Sequence, residues 1–256
     1  MKKSIYTLLL ASLIIPSINT AQAQNIDTKK LRFGAFVAPN LSWMRPTAAK
    51  SDNNEFLTEG GGTKFGFTYG LMAEYRFAEN YSFVTGLQIN MTGGKMNVTR
   101  DLVAEDTSNF VRTSSFDYTL QYLEIPLALK MRTNLISGFR FFGQLGITPS
   151  INVSKKANYS TIVYENGNDR LYADENVKLK GTLGITPLLF QMNIGIGGEY
   201  PLSDQLCAYF GLFFNNGFAP DVTNPTKYNM PGYTTATFRD GNTRLNNFAL
   251  RLGLFF

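Results

Sequence analysis

The sequence predicts an all-β fold: an eight-stranded, antiparallel, up-and-down transmembrane β-barrel with short periplasmic turns and long extracellular loops. Hydrophobicity alternates with a period of two, not 3.6, along most of the chain. The connections between the alternating runs are short and long by turns, which is the plan of an outer-membrane barrel. The chain also carries an export leader but no later run long and apolar enough for a membrane helix, while holding 21 Phe, 13 Tyr and 23 Gly.

The elements follow in order. MKKSIYTLLLASLIIPSINTAQAQ has two lysines, a short apolar stretch and the small-residue site Ala21-Gln22-Ala23. This reads as a signal peptide over residues 1–23, removed before Gln24. Residues 24–256 then form one barrel domain, the outer membrane being the expected location. Eight strands are expected near 31–43, 64–77, 81–92, 117–132, 138–153, 185–200, 205–215 and 245–256. In the second, Phe65, Phe67, Tyr69, Leu71, Ala73, Tyr75 and Phe77 share one face, and Gly66, Thr68, Gly70, Met72, Glu74 and Arg76 the other. Short connections fall at 78–80, 133–137 and 201–204, and long ones at roughly 44–63, 93–116, 154–184 and 216–244. Both termini therefore belong to the short-turn, periplasmic end. Within the third long connection, Thr161 to Tyr172 reads as a hairpin about Asn166-Gly167, so strands five and six are expected to rise as a two-stranded flap. The fourth, with Pro220, Pro225 and Pro231, reads as irregular.

A soluble ligand-holding barrel shares this period, and side-chain size separates the two. The apolar face is bulky, with Phe33, Val37, Leu41 and Trp43 in the first strand and Phe139, Phe141, Leu145 and Ile147 in the fifth. The polar face is small apart from its charges, which suits the narrow interior of eight strands. RLGLFF then reads as the closing strand, with Phe248, Leu250, Leu252, Leu254 and Phe256 outward and Asn247, Ala249, Arg251 and Gly253 inward. An aromatic end such as Phe256 resembles the signal read by the barrel assembly machinery.

Composition narrows the chemistry. The 24 Lys plus Arg fall to 22 once Lys2 and Lys3 leave, against 19 Asp plus Glu, a net charge of +3. That is too little to suggest nucleic acid as a partner. The chain has no histidine, so a Ser-His-Asp or Cys-His catalytic site cannot form, nor can a histidine-bound zinc. Cys207 is the only cysteine and cannot make an internal disulfide. Gly93-Gly94-Lys95 lacks phosphate-loop spacing, Gly195-Ile196-Gly197-Gly198 sits in a strand, and Glu165 to Asp169 lacks calcium-loop spacing. A non-enzymatic protein without cofactor or metal is expected.

One constellation remains. The inward charges are Arg32, Glu74, Arg76, Glu124, Lys130, Arg140, Glu199 and Arg251. All but Glu124 are expected to crowd the periplasmic half of the lumen, with Arg32 near Glu74, Arg76 and Arg251. They form a paired ionic plug, because inward charges must be satisfied; a gate or anion site is the other reading.

Four stretches resemble the PorT-like outer-membrane β-barrel family of Bacteroidetes: LRFGAFVAPNLSW, LQYLEIPLALKMRT, GFRFFGQLGITPSINV and GIGGEYPLSDQLCAYFGLFFNNGF. The resemblance spans essentially the whole mature chain. It implies an outer-membrane barrel whose namesake is an accessory of type IX protein secretion, and many of whose relatives are porin-like. The partners it implies are outer-membrane lipid and other outer-membrane or secretion-system proteins. A small porin and a surface adhesin acting through the long loops are the competing roles.

Overall fold

A computed structural model describes residues 30–47, 56–100, 110–178, 184–223 and 243–256. The expected leader over 1–23, Pro225 and Pro231 lie outside the described residues. Among the described residues twelve strands form one antiparallel sheet. They are β1 (Leu31–Pro46), β2 (Phe56–Ala78), β3 (Tyr81–Arg100), β4 (Phe110–Glu124), β5 (Leu127–Arg132) and β6 (Arg140–Glu165). The rest are β7 (Asn168–Lys178), β8 (Gly184–Ile185), β9 (Leu188–Pro201), β10 (Cys207–Gly217), β11 (Val222–Thr223) and β12 (Thr243–Phe255).

Eight staves close a ring. The order β1–β2–β3–β4–β6–β9–β10–β12 returns on itself where β12 pairs β1, from Gly34 opposite Phe255 to Pro46 opposite Thr243. β5 continues the β4 stave, pairing with β3 and β6. The break falls at Ile125-Pro126 because proline has no N–H to give the ladder. Tight turns follow the expected chemistry: Ser137-Gly138 and Asn166-Gly167 both have positive φ at the two central positions, 49° and 84° in each pair. That is the backbone of a two-residue hairpin turn matched to strand twist.

The pleat puts alternate side chains on opposite walls. On β1, Leu31, Phe33, Val37 and Leu41 are exposed and Arg32, Phe36, Asn40 and Ser42 buried. The same holds around the ring, with Phe67, Leu71, Leu87, Leu145, Ile196, Leu212 and Leu252 outward. Aromatic groups bound this apolar wall. At the long-loop end Trp43 lies 6.3 Å from Phe214 and 5.5 Å from Phe248. At the short-turn end Phe77 meets Tyr81 at 6.3 Å and Phe139 meets Tyr200 at 4.9 Å. Phe33 and Trp43 are ten residues apart. At about 3.3 Å per residue and a tilt near 40°, the band between them is about 25 Å tall, the height of a membrane barrel's apolar belt.

The staves outrun that band, which corrects the expected loops. Residues 56–63, 93–100, 110–116 and 154–178 are largely strand, not connection. β2, β3, β4, β6 and β7 pair side by side as a five-stranded sheet above the belt, so the flap is broader than two strands. Along β3 the inward positions run Gln88, Asn90, Thr92, then Met96 and Val98, while the outward ones run Leu87, Met91, then Lys95 and Asn97. β4 does the same, with Phe116, Tyr118 and Leu120 inward and Ser115 and Asp117 outward. Along β3 and β4 side-chain parity does not change, but the chemistry of the two faces exchanges where lipid gives way to water. Inside the upper wall Met44, Met96, Phe116, Tyr118, Leu120, Leu189 and Leu245 form a buried apolar core.

Candidate functional site

The lumen is filled in layers. Nearest the short turns, Arg32 of β1, Glu74 of β2, Lys130 of β5 and Glu199 of β9 meet in a buried quartet. The register sets Arg32 opposite Glu74, and the pleat turns all four inward. Arg32 Nη2 donates to Glu74 Oε2 at 2.9 Å and to Glu199 Oε1 at 2.6 Å. Lys130 Nζ donates to Glu74 Oε2 at 2.9 Å and also to Glu199 Oε1. Each cation thus bridges both carboxylates across the barrel, which is what four charges away from water require.

Aromatic faces enclose this quartet. Arg32 Cζ lies 4.0 Å from the Phe255 ring centre, and Lys130 Nζ lies 4.5 Å from Phe142 and 5.1 Å from Tyr209. Ring quadrupoles attract such cations, more strongly once desolvated. Phe142 and Tyr209 stack at 5.1 Å. Space for these rings comes from the neighbouring strand β9, where a Cβ on Gly197 would meet the Phe142 ring and one on Gly195 the Phe213 ring, each its direct cross-strand partner. The glycine-rich run of β9 is a bed for aromatic side chains, consistent with its strand position.

Arg251 and Glu124 stand apart from the quartet. Arg251 lies between Phe36 and Phe213, 4.8 and 4.3 Å from their ring centres, and donates to Gln88 Oε1 at 3.4 Å. The expectation that Arg251 neighbours Arg32 fails, because β12 register sets Leu252 opposite Val37, well above Arg32. Glu124 accepts from Asn90 Nδ2 at 2.8 Å and from Gln88 Nε2. Arg76 and Arg140 are half-buried at the short-turn mouth. Arg132, which the sequence reading passed over, is buried there too and donates to the Glu79 carbonyl at 3.4 Å. It was legible as the inward partner of Lys130 two residues on.

Above the charges runs a belt of amides that sequence reasoning also missed. Gln144 of β6 donates to Asn193 of β9 at 3.0 Å, Asn193 to Asn215 of β10 at 2.6 Å, and Asn215 to Asn247 of β12 at 2.7 Å. Across the barrel Asn40 of β1 donates to Thr68 of β2 at 3.1 Å and to Asn90 of β3 at 3.3 Å. With Glu124, every stave contributes one polar side chain. The signal was the inward Asn, Gln and Thr side chains of the strands, whose common level is visible only once register is known.

At the long-loop end the chain after β10 turns back over the barrel. Asp221 Oδ2 accepts the Leu245 N–H at 2.7 Å and Oδ1 the Tyr122 hydroxyl at 3.3 Å, while Thr186 Oγ1 donates to the Pro220 carbonyl at 2.7 Å. Burial pushes the Asp221 carboxyl up to about 7, against the lowering by these two donors. Pro220 thus lies in an ordered clasp rather than the irregular loop expected.

A closed ring with a lipid-sized apolar outer band and a polar, occupied interior defines a membrane-spanning β-barrel. The chain belongs to the outer membrane protein beta-barrel domain family, whose model matches residues 21–220. Its place is accordingly the outer membrane. Among solved structures it is similar to OprG of Pseudomonas aeruginosa, with 10% identity, 91% of this chain and 99% of that chain covered, and a TM-score of 0.40. Neisserial surface protein A is similar at 11% identity, 88% and 97% coverage and a TM-score of 0.39. Ail of Yersinia pestis is similar at 12% identity, 89% and 100% coverage and a TM-score of 0.36. No curated protein matches the chain significantly.

Proposed function

We propose that this outer-membrane barrel acts by contact, as a non-catalytic binding or scaffold protein. The supporting observation is the filled lumen: the Arg32–Glu74–Lys130–Glu199 quartet and its aromatic cage occupy the cross-section that a solute would need. With the short turns in the periplasm, the working surfaces are the extracellular sheet and loops, the periplasmic rim and the lipid-facing wall. Purified protein in planar bilayers should show no steady conductance. A stable open channel would instead support a small porin, with Arg32, Arg76, Lys130, Arg140 and Arg251 as its selectivity groups.

The PorT-like stretches favour one scaffold role, that of an accessory to type IX protein secretion. Deleting the gene should then reduce surface-exported proteins while leaving solute uptake normal; unchanged export would refute that role. An adhesin acting through the long connections would lose adhesion and keep export. Phe256, whose N–H donates to the Phe33 carbonyl at 2.8 Å, is the residue the assembly machinery would read in this scheme.

A further inference from the structure

The five-stranded sheet above the belt has an outward face with its own cleft. Bulges flank it, between Gly60 and Gly62 on β2 and between Ala157 and Tyr159 on β6. Bulges add twist, and the twisted face holds an open cleft of about 690 Å³. That is the size of a small-ligand site. The register sets Asn97, Ser115 and Ser160 in one row across β3, β4 and β6, and Lys95, Asp117 and Asn158 in the next. These polar side chains line the cleft, with Glu175 of β7 closing one end.

The lining selects a ligand by elimination. The strands β4 and β6 that carry the middle of the lining are hydrogen-bonded on both sides, so a peptide strand cannot be added within the cleft itself. The charges of the lining are mostly acidic, Asp117, Asp174 and Glu175 against Lys95, and Lys64 Nζ donates to Asp117 at 2.5 Å and to Thr119 Oγ1 at 2.8 Å at the foot of the cleft. A phosphate site would instead concentrate basic groups. Among the described residues no three His, Cys, Asp or Glu are grouped to hold a metal ion. Amides, hydroxyls and carboxylates on a flat grid suit a ligand with many hydroxyls.

Height selects the source. Lys95 lies four residues beyond Met91, the last lipid-facing side chain of β3. At about 3.3 Å per residue and roughly 40° of tilt, the cleft begins about 10 Å above the hydrocarbon, at headgroup level. We infer that this cleft binds the neutral sugars of a glycolipid in the leaflet the barrel itself crosses. The inference rests on the proposed orientation, with the long-loop end outside the cell.

The test uses the barrel in phosphatidylethanolamine nanodiscs, titrated with lipopolysaccharide and, separately, with its detached core oligosaccharide. Ser115→Trp and Ala173→Trp fill the cleft from exposed positions, and gel mobility before and after boiling reports that each variant is folded. Both probes should bind the parent, and each variant should weaken both at least tenfold. Undiminished binding in the folded variants would overturn the assignment, as would absence of binding by either probe. Binding only to glycans foreign to the outer leaflet would overturn the source. Bilayer conductance tests the contact role separately, so a silent barrel that ignores both probes removes the cleft and leaves that role standing.

Discussion

Lys130 is 1% exposed, shares two carboxylates with Arg32 and sits among three ring faces. Removing one partner of such a set leaves uncompensated charge in the interior, which costs about 3–5 kcal/mol. Lys130→Met should lower the denaturant midpoint of the micellar protein by an amount of that order. Adding Glu199→Gln should restore part of it, since Arg32 and Glu74 then remain as a pair. Equal midpoints for parent and Lys130→Met would mean that water reaches the quartet. The charged members were legible in the sequence because a strand's parity tells which way a side chain points. Their grouping was not. Glu199 and Arg32 are brought together by the curvature of the ring, and the rise of β12 carries Arg251 away, and neither follows from alternation alone.

At the scale of the element, the exchange of faces along β3 and β4 makes position decide the effect of a charge. Phe67 faces lipid and Asn97 faces water above the belt. Leu71→Lys, on the same lipid-facing side two outward positions below Phe67, should cost about 2–4 kcal/mol, as for a cation near the bilayer midplane, whereas Asn97→Lys should change the unfolding midpoint little. Comparable losses would place the membrane boundary elsewhere. The same exchange explains why the expected strands stopped near Met91 and began near Asp117. A search for one apolar face sees the pattern end when that face turns polar, although the pleat continues. The Asn166-Gly167 hairpin was legible because its turn chemistry is local and independent of solvent.

The clasp after β10 carries a pH dependence. The Asp221 carboxyl sits at about 7 instead of its ordinary 3.8, because burial opposes its charge. A carboxyl raised in the folded state contributes stability that is complete below its ordinary value and is lost as pH rises through about 7. Exchange of the Leu245 amide should therefore speed up, beyond its intrinsic base dependence, between about pH 4 and 7. Asp221→Asn, which imitates the protonated form, should remove that excess. The same slope in parent and variant would assign the change to another group.

Taken as a whole, the molecule is a closed ladder without a free edge inside the belt, and closed barrels of this kind resist detergent. Unheated protein should run faster on a cold SDS gel than boiled protein; one mobility under both conditions would contradict the ring. Strand number, order and the side facing lipid were legible because eight amphipathic runs joined by alternate short turns admit few other arrangements. The two sets missed, the amide belt and the aromatic cage, are properties of the assembled cross-section.

The change of polarity along unbroken strands also has a mechanical consequence: it is a waterline. Nothing in the backbone ladder fixes how deep the protein sits, since hydrogen bonding is the same above and below. Draught is set by the level at which staves such as β3 and β4 swap their greasy side for their wetted one. Moving that level by one outward position on all staves, about 5 Å of vertical travel, would leave the hull unchanged and refloat it higher or lower in the leaflet, carrying the upper cleft with it.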